Sequence, residues 1–175
     1  MKIRPATVQD AAALLEIYRY YVECTSITFE WTVPTSEEFA DRIEKTLKKY
    51  PYLVAEIEGK PVGYAYASTF KDREAYDWCI ETSIYVHKDL KRSGIGRALL
   101  EELELRLKNQ GILNSNACIA KAEVEDEYLT NDSIFFHEKM GYSLVGEFHK
   151  CGKKFGRWYN MVWMEKFLGE HTDEK

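Results

Sequence analysis

Lys88, Lys91, Arg92 and Arg97 crowd a turn that carries two glycines, Gly94 and Gly96, between an apolar run ending at Val86 and a long amphipathic segment. Where a strand turns sharply into a helix, the first backbone N–H groups of the helix are unpaired and glycine lets a ligand approach them. Such a turn can cradle a phosphate or pyrophosphate; the plain alternative is an ordinary turn with solvated lysines. The spacing is not a Walker A loop, because no Gly-Lys-Ser/Thr follows four variable residues, and it is not the GxGxxG of a dinucleotide fold. Nucleoside triphosphate hydrolysis and hydride transfer lose their main support.

Just upstream, Glu81 interrupts an apolar, β-branched run, Cys79-Ile80-Glu81-Thr82-Ser83-Ile84-Tyr85-Val86. In a strand Glu81, Ser83 and Tyr85 share a face, and partial burial would raise the carboxyl pKa toward that of a working base. A solvated or lysine-paired carboxylate is the competing reading. His137 lies in an amphipathic segment, Phe135-Phe136-His137-Glu138, where a structural hydrogen bond competes with a proton-transfer role; no second histidine completes a zinc HExxH motif. Lys71 and Arg73 stand two apart, on one side of an extended chain and close to Tyr76. They can clamp a carboxylate or phosphinate, or serve as surface ion-pair residues. The aromatic-basic stretch from Lys150 to Trp158 reads either as a nucleic-acid patch or as a hairpin packed on a second subunit.

These residues need elements to hold them. Residues 3–6 read as a short strand, and Thr7 with Asp10 opens a helix with Ala11, Leu14, Leu15, Tyr18, Tyr21 and Val22 on its apolar face. Thr35 and Glu38 open a second helix, with Phe39, Ile43 and Leu47 on one stripe before Pro51. Two β-type runs flank Glu58-Gly59-Lys60, a hairpin signal, and residues 78–86 form a further strand. Ile95, Leu99, Leu103 and Leu107 recur every four residues until Gly111 stops the helix. A strand over 115–120, a helix over 133–140 ended by Gly141, and strands over 142–148 and 158–166 complete the chain. The order predicts a single α/β domain over 1–168 with one mixed, mostly antiparallel twisted sheet flanked by helices, and a polar tail over 169–175.

With 175 residues, 45% of them hydrophobic and 30% charged, the composition excludes collagen-like, disordered and disulfide-scaffold chains. No apolar run reaches the ~20 residues of a membrane helix, and the polar N-terminus lacks a signal-peptide core, so a cytoplasmic protein without a membrane partner is expected. Cys24, Cys79, Cys118 and Cys151 are widely spaced and read as reduced thiols, with no metal set. The net charge of -5 gives nothing global to draw the surface to nucleic acid.

Lys91-Arg92-Ser93-Gly94-Ile95-Gly96 resembles the Q/R-x-x-G-x-G/A loop of the GNAT N-acetyltransferases, with Lys91 where the pattern prefers Gln or Arg. Within that superfamily, Ile3-Arg4-Pro5-Ala6-Thr7, Thr28-Phe29-Glu30, Gly63-Tyr64-Ala65-Tyr66-Ala67, Ala75-Tyr76-Asp77-Trp78 and Gly141-Tyr142 are similar to the phosphinothricin and methionine sulfoximine N-acetyltransferases. The resemblance implies a GNAT fold, acetyl-CoA as cosubstrate without a metal, a homodimer, and direct acetyl transfer to the α-amine of a small amino-acid analogue. It implies Glu81 as the base, with His137 in the active site. Ile84, Tyr85, Val86, Lys91, Arg92, Ser93, Gly94, Ile95, Gly96, Arg97, Asn131 and Ser133 would contact CoA. Lys71, Arg73, Tyr76 and Phe29 would contact the acceptor, with Trp31 as further apolar lining. Another amine acceptor (a polyamine or a protein N-terminus) and a non-catalytic acyl-CoA-binding module are the alternatives.

Overall fold

The computed structural model describes residues 1–173. Strand β1 (Lys2–Pro5) leads through a 3-10 turn (Val8–Asp10) into α1 (Ala11–Cys24), and α2 (Ser36–Leu47) follows. Then come β2 (Tyr52–Ile57), β3 (Lys60–Thr69), β4 (Cys79–Val86), α3 (Ile95–Asn109), β5 (Asn114–Lys121), α4 (Asp132–Lys139), β6 (Ser143–Lys154) and β7 (Arg157–Phe167). The seven strands form one sheet in the order β1-β2-β3-β4-β5-β7-β6. Only β4 and β5 run parallel, because α3 carries the chain back across one face between them. The expected single α/β domain with a mixed, mostly antiparallel sheet is the fold observed.

Local sequence accounts for most boundaries. The Thr7 N–H donates to Asp10 at 2.8 Å, and Thr35 accepts from the Glu38 N–H at 3.1 Å while Glu38 accepts from the Thr35 N–H, so both paired caps form. The β2–β3 turn places Glu58 and Gly59 at positive φ, as a two-residue hairpin requires. Two expectations are corrected. Leu47, the last residue of α2, is exposed, so the buried stripe is Phe39 and Ile43 alone. Strand β6 continues from 148 to Lys154 and turns tightly at Phe155-Gly156, instead of leaving 150–158 as a loop. Its register against β7 shifts between Phe148 and Gly152, which erases the alternation that would have marked a strand.

Helices α3 and α4 cover one face of the sheet through Leu99, Leu100, Leu103, Leu107 and Met140. Helices α1 and α2 cover the other face, over β2–β4, with an aromatic layer of Tyr52, Tyr64, Tyr66, Tyr85, Tyr18 and Phe39. That second face is left open over β5, β7 and β6, where the side chains of Asn116, Cys118, Trp163 and Glu165 stand together because Asn116 pairs with Glu165 and Cys118 with Trp163. Helix α3 approaches β3 closely at Gly63. A Cβ there would lie 3.1 Å from the Tyr85 carbonyl oxygen, 3.2 Å from Ile95 and 3.3 Å from Leu99. Gly63→Val is therefore expected to overpack this contact and cost about 1–3 kcal/mol, read as a lower urea midpoint with an unchanged m-value.

Candidate active site

Strands β4 and β5 pair only from Cys79 to Glu81, opposite Asn114 to Asn116, and then part. Polar side chains pin the point of parting. The Thr82 hydroxyl donates to the Asn116 carbonyl at 3.1 Å, and the Asn116 amide donates to the Ile80 carbonyl at 3.0 Å and reaches the Cys79 sulfur at 2.9 Å. Neither Thr82 nor Asn116 was singled out from sequence; the signal available was an asparagine, Asn116, inside an otherwise buried run. On its other edge β4 is fully paired, and the His87 N–H donates to the Val62 carbonyl at 2.8 Å. Antiparallel alternation then turns the N–H groups of Tyr85 and Ser83 toward β3 and those of Ile84 and Val86 into the gap. The Tyr21 hydroxyl reaches in to donate to the Val86 carbonyl. A cavity of about 60 Å³ lies in the gap, lined by Ile84, Ala117, Ile119, Leu129, Ser133 and His137, among others.

At the end of β4 the chain enters the glycine turn. Gly94 precedes α3 with φ 86°, a conformation costly for any side chain, and no side chain caps the 15-residue helix. The unpaired N–H groups of its first turn thus stand beside the gap. The Ser93 hydroxyl donates to the Leu90 carbonyl at 2.6 Å and shapes the turn. Arg92, itself at φ 62°, ties the turn to the start of α4 through Asp132 at 2.9 Å. The Lys91 ammonium lies 5.5 and 5.4 Å over the rings of Tyr20 and Tyr21, and burial lowers its pKa. Ile95 points into the core, so only its backbone faces the turn, while Arg97 is exposed. A Cβ on Gly96 would sit 3.5 Å from Phe136, an ordinary contact, so the bare helix surface there is room for a ligand and no packing necessity. Asn131 uses both ends of its amide on Ala122, accepting from its N–H and donating to its carbonyl at 3.1 Å each.

Glu81 occupies the last paired position of β4, on the side of Ser83 and Tyr85, beside the gap. Burial pushes its carboxyl above the usual range, and the nearby Lys71 ammonium pulls it back only in part. His137 is 3% exposed; its Nδ1 donates to the Ser133 carbonyl at 2.7 Å, which leaves the Nε2 lone pair free. Burial also lowers its pKa, so the ring is neutral at pH 7. The Lys71 side chain and Tyr76 line a wide groove of about 910 Å³ on the open sheet face, with Phe70, Trp78, Phe148 and Trp163. Arg73 is exposed at the start of a short 3-10 turn (Glu74–Tyr76) on the same loop. Phe29 is elsewhere: it packs against Gly152, Tyr159 and Leu129 in a small separate cluster, and Trp31 is 71% exposed. The structure therefore places Lys71 near Glu81 and in one groove with Tyr76, with Phe29 apart from all three.

The Acetyltransferase (GNAT) domain family matches residues 3–163. The chain belongs to this family. It is 36% identical to a phosphinothricin N-acetyltransferase of Streptomyces viridochromogenes, over 95% of this chain and 88% of that protein. It is 31% identical to an L-methionine sulfoximine/L-methionine sulfone acetyltransferase of Salmonella typhimurium, over 98% and 97%. The crystal structure of a GNAT superfamily phosphinothricin acetyltransferase from Sinorhizobium meliloti, in complex with AcCoA, superposes with a TM-score of 0.91 at 38% identity, covering 99% of this chain and 91% of that one. The parted strands and the uncapped glycine turn are the candidate cleft of this acetyltransferase-family chain.

Among the described residues no group of three His, Cys, Asp or Glu is placed to hold a metal ion, and no helix is long and apolar enough to cross a membrane. The hydrogen bonds of Asn131 make it a brace for the start of α4. Asn131→Ala is expected to strand two polar groups of the buried Ala122 and cost about 1–3 kcal/mol without any ligand present. A urea midpoint equal to wild type would return the amide to ligand binding.

Proposed function

We propose that the protein acetylates the α-amine of a small anionic amino-acid analogue, of the phosphinothricin or methionine sulfoximine type, using acetyl-CoA. The observation that carries this reading is the meeting of two features at one gap: an uncapped helix start beside unpaired β4 backbone, and a half-buried Glu81 with Lys71 close by. When bound, acetyl-CoA supplies a thioester carbonyl that an amine attacks, the N–C bond forming as the C–S bond breaks and the thiolate leaves. The turn at Lys91, Arg92, Ser93, Gly94, Ile95, Gly96 and Arg97 offers backbone N–H groups and positive charge to the pyrophosphate. The N–H groups of Ile84 and Val86 are preorganised donors for oxygen charge developing in the gap, with Tyr85 between them turned to the core. Glu81 takes the proton of the amine, directly or through one water. The neutral His137, with Nε2 free, serves as a second proton acceptor or orients the acceptor; Ser133 holds its ring in that tautomer.

Lys71, with Arg73 and Tyr76 on the same loop, is suited to the acidic end of the acceptor and opposes a polyamine. Phe29 shapes this side only through the loop it anchors. The exposed Trp78, Val145, Phe148 and Phe167 around the groove support a homodimer through this face. No nucleic-acid role is proposed: of the basic cluster, Arg157 is paired with Asp126 at 2.8 Å and Glu127 at 3.0 Å, and Lys154 is buried. A cytoplasmic location completes the reading.

Release of free CoA from acetyl-CoA, followed across amino-acid analogues, polyamines and peptides, tests the acceptor class; preference for spermidine or a peptide N-terminus over every analogue would overturn it. Gly94→Val is expected to weaken acetyl-CoA binding strongly in calorimetry while the protein stays folded.

A base must be ionised to act, and Glu81 is raised above its ordinary value of 4.5. In wild type, kcat/KM is therefore expected to fall on the acid side at a pH above 4.5. Glu81→Gln is expected to lower kcat by about 10²–10⁴-fold with acetyl-CoA affinity intact, and a mutant with wild-type kcat at neutral pH would remove Glu81 from the mechanism.

A further inference from the structure

Lys154, the penultimate basic residue of the cluster on the β6–β7 hairpin, is 2% exposed. Its ammonium has no carboxylate within ion-pair distance among the described residues. It donates instead to two backbone carbonyls, those of Thr25 and Thr28, at 2.8 Å each, and lies 5.2 Å over the ring of Phe155. A cation buried largely against neutral groups, with the Glu30 carboxylate acting on it only from beyond ion-pair distance, is costly, and a methionine of similar length could fill the same space at lower cost. The direct hydrogen bonds of the ammonium are to the two carbonyls, and Glu30 belongs to the same segment.

Those carbonyls belong to the segment between α1 and α2, which has no regular secondary structure from Thr25 to Pro34. One backbone hydrogen bond, from the Ser26 N–H to the Tyr128 carbonyl at 3.0 Å, and several side chains hold it in place of a ladder. The Tyr18 hydroxyl and Thr28 Oγ1 are hydrogen-bonded at 2.8 Å, Thr28 Oγ1 accepts from the Glu30 N–H at 3.3 Å, and Arg42 reaches Glu30 at 2.8 Å. The hairpin grips it a second time at Gly152, where a Cβ would lie 2.4 Å from the Phe29 ring. The same segment supplies Ile27 to the wall of the gap between β4 and β5. A tip of the sheet far along the chain thus contacts the segment that carries one wall of the gap.

We propose that Lys154 is a positioning residue. Its ammonium fixes the backbone of residues 25–29, and through Ile27 at the wall of the gap it sets how the acceptor amine is seated, without touching either substrate. This rests on the acceptor reading given above.

The test compares wild type with Lys154→Met and Lys154→Arg, and adds Gly152→Ala, which disturbs the same segment from the Phe29 side. Lys154→Met is expected to raise the KM of the acceptor at least tenfold while the KM of acetyl-CoA changes less than twofold. Lys154→Arg, which retains donors for both carbonyls, should recover part of the loss. The Lys154→Met and Gly152→Ala effects should be less than additive, since either releases the same segment. A lower melting temperature with both KM values unchanged, or both KM values rising together, overturns the proposal. Amide hydrogen exchange needs no acceptor and keeps the two readings separate. Faster exchange in Lys154→Met confined to residues 25–31 supports the positioning role even if no amine in the panel is acetylated, and exchange unchanged there overturns it. Should Lys154→Met fail to fold, the same measurements on Lys154→Arg and Gly152→Ala decide.

Discussion

A parallel strand pair that stops after three residues leaves N–H and C=O groups in the middle of a sheet with no ladder to join. Each such group, if buried and unmet, costs about 1–3 kcal/mol. The structure meets some of them internally: Tyr21 takes the Val86 carbonyl, and Thr82 and Asn116 close the pairing at its last rung. The N–H groups of Ile84 and Val86 remain directed into the gap, and a substrate carbonyl or amide is the partner that suits them. The opening is maintained from both sides. Helix α4 carries His137 and is braced to the strand β5 side by Asn131, while α1 and the segment after it bring Tyr21 and Ile27.

Charge is arranged by the same parting. The positive groups at Lys91, Arg92 and Arg97 lie beyond the end of β4, where the start of α3 adds its own positive pole, worth up to about 1 kcal/mol for an exposed anion. Glu81 lies at the near end of the gap, away from that turn, and responds chiefly to burial with only Lys71 opposing it. Were Glu81 next to the arginines its carboxyl would be held low and would be a poor base. Separation along one strand is what would let the proposed site bind a polyanion and keep a basic carboxylate. The surface pairs elsewhere, such as Arg19 with Glu16 at 3.3 Å or Lys48 with Glu44 at 3.8 Å, are exposed and contribute little, since such pairs give about 0–1 kcal/mol.

Much of this was legible in residue order. The caps at Thr7 and Thr35, the Glu58-Gly59 turn and the four-residue leucine repeat of α3 each have a local cause, and local causes can be read locally. The glycine turn and Glu81 were readable for the same reason, since a charged residue in an apolar run and a bare helix start are short-range signals. What escaped depends on distant segments meeting. Phe29 was expected beside the acceptor but is held by Gly152, more than a hundred residues later, and nothing near either residue announces the contact. The family resemblance puts Asn131 on CoA; in the structure its amide is taken up by Ala122, a contact that exists only once β5 and α4 have packed. Strand β6 was cut short because its register shift breaks the alternation on which strand reading depends.

The path of the acetyl group follows from the thiols as much as from the carboxylate. A covalent acyl-enzyme route would need a cysteine at the gap with a useful thiolate fraction near neutral pH. Cys79 and Cys118 are the two nearest, on β4 and β5, and each is shifted the wrong way: burial raises Cys79, and burial together with the charge of Glu81 pushes Cys118 up to about 12. A thiol shifted in that direction stays protonated at pH 7, and the carboxylate that would serve as base for an amine also repels a second anion beside it. The amine has no such handicap, because losing its proton to Glu81 creates no new negative charge. The electrostatics that suit Glu81 to the proposed role of base therefore also disfavour a thiolate at the neighbouring sulfur, and direct attack by the amine is the route that fits.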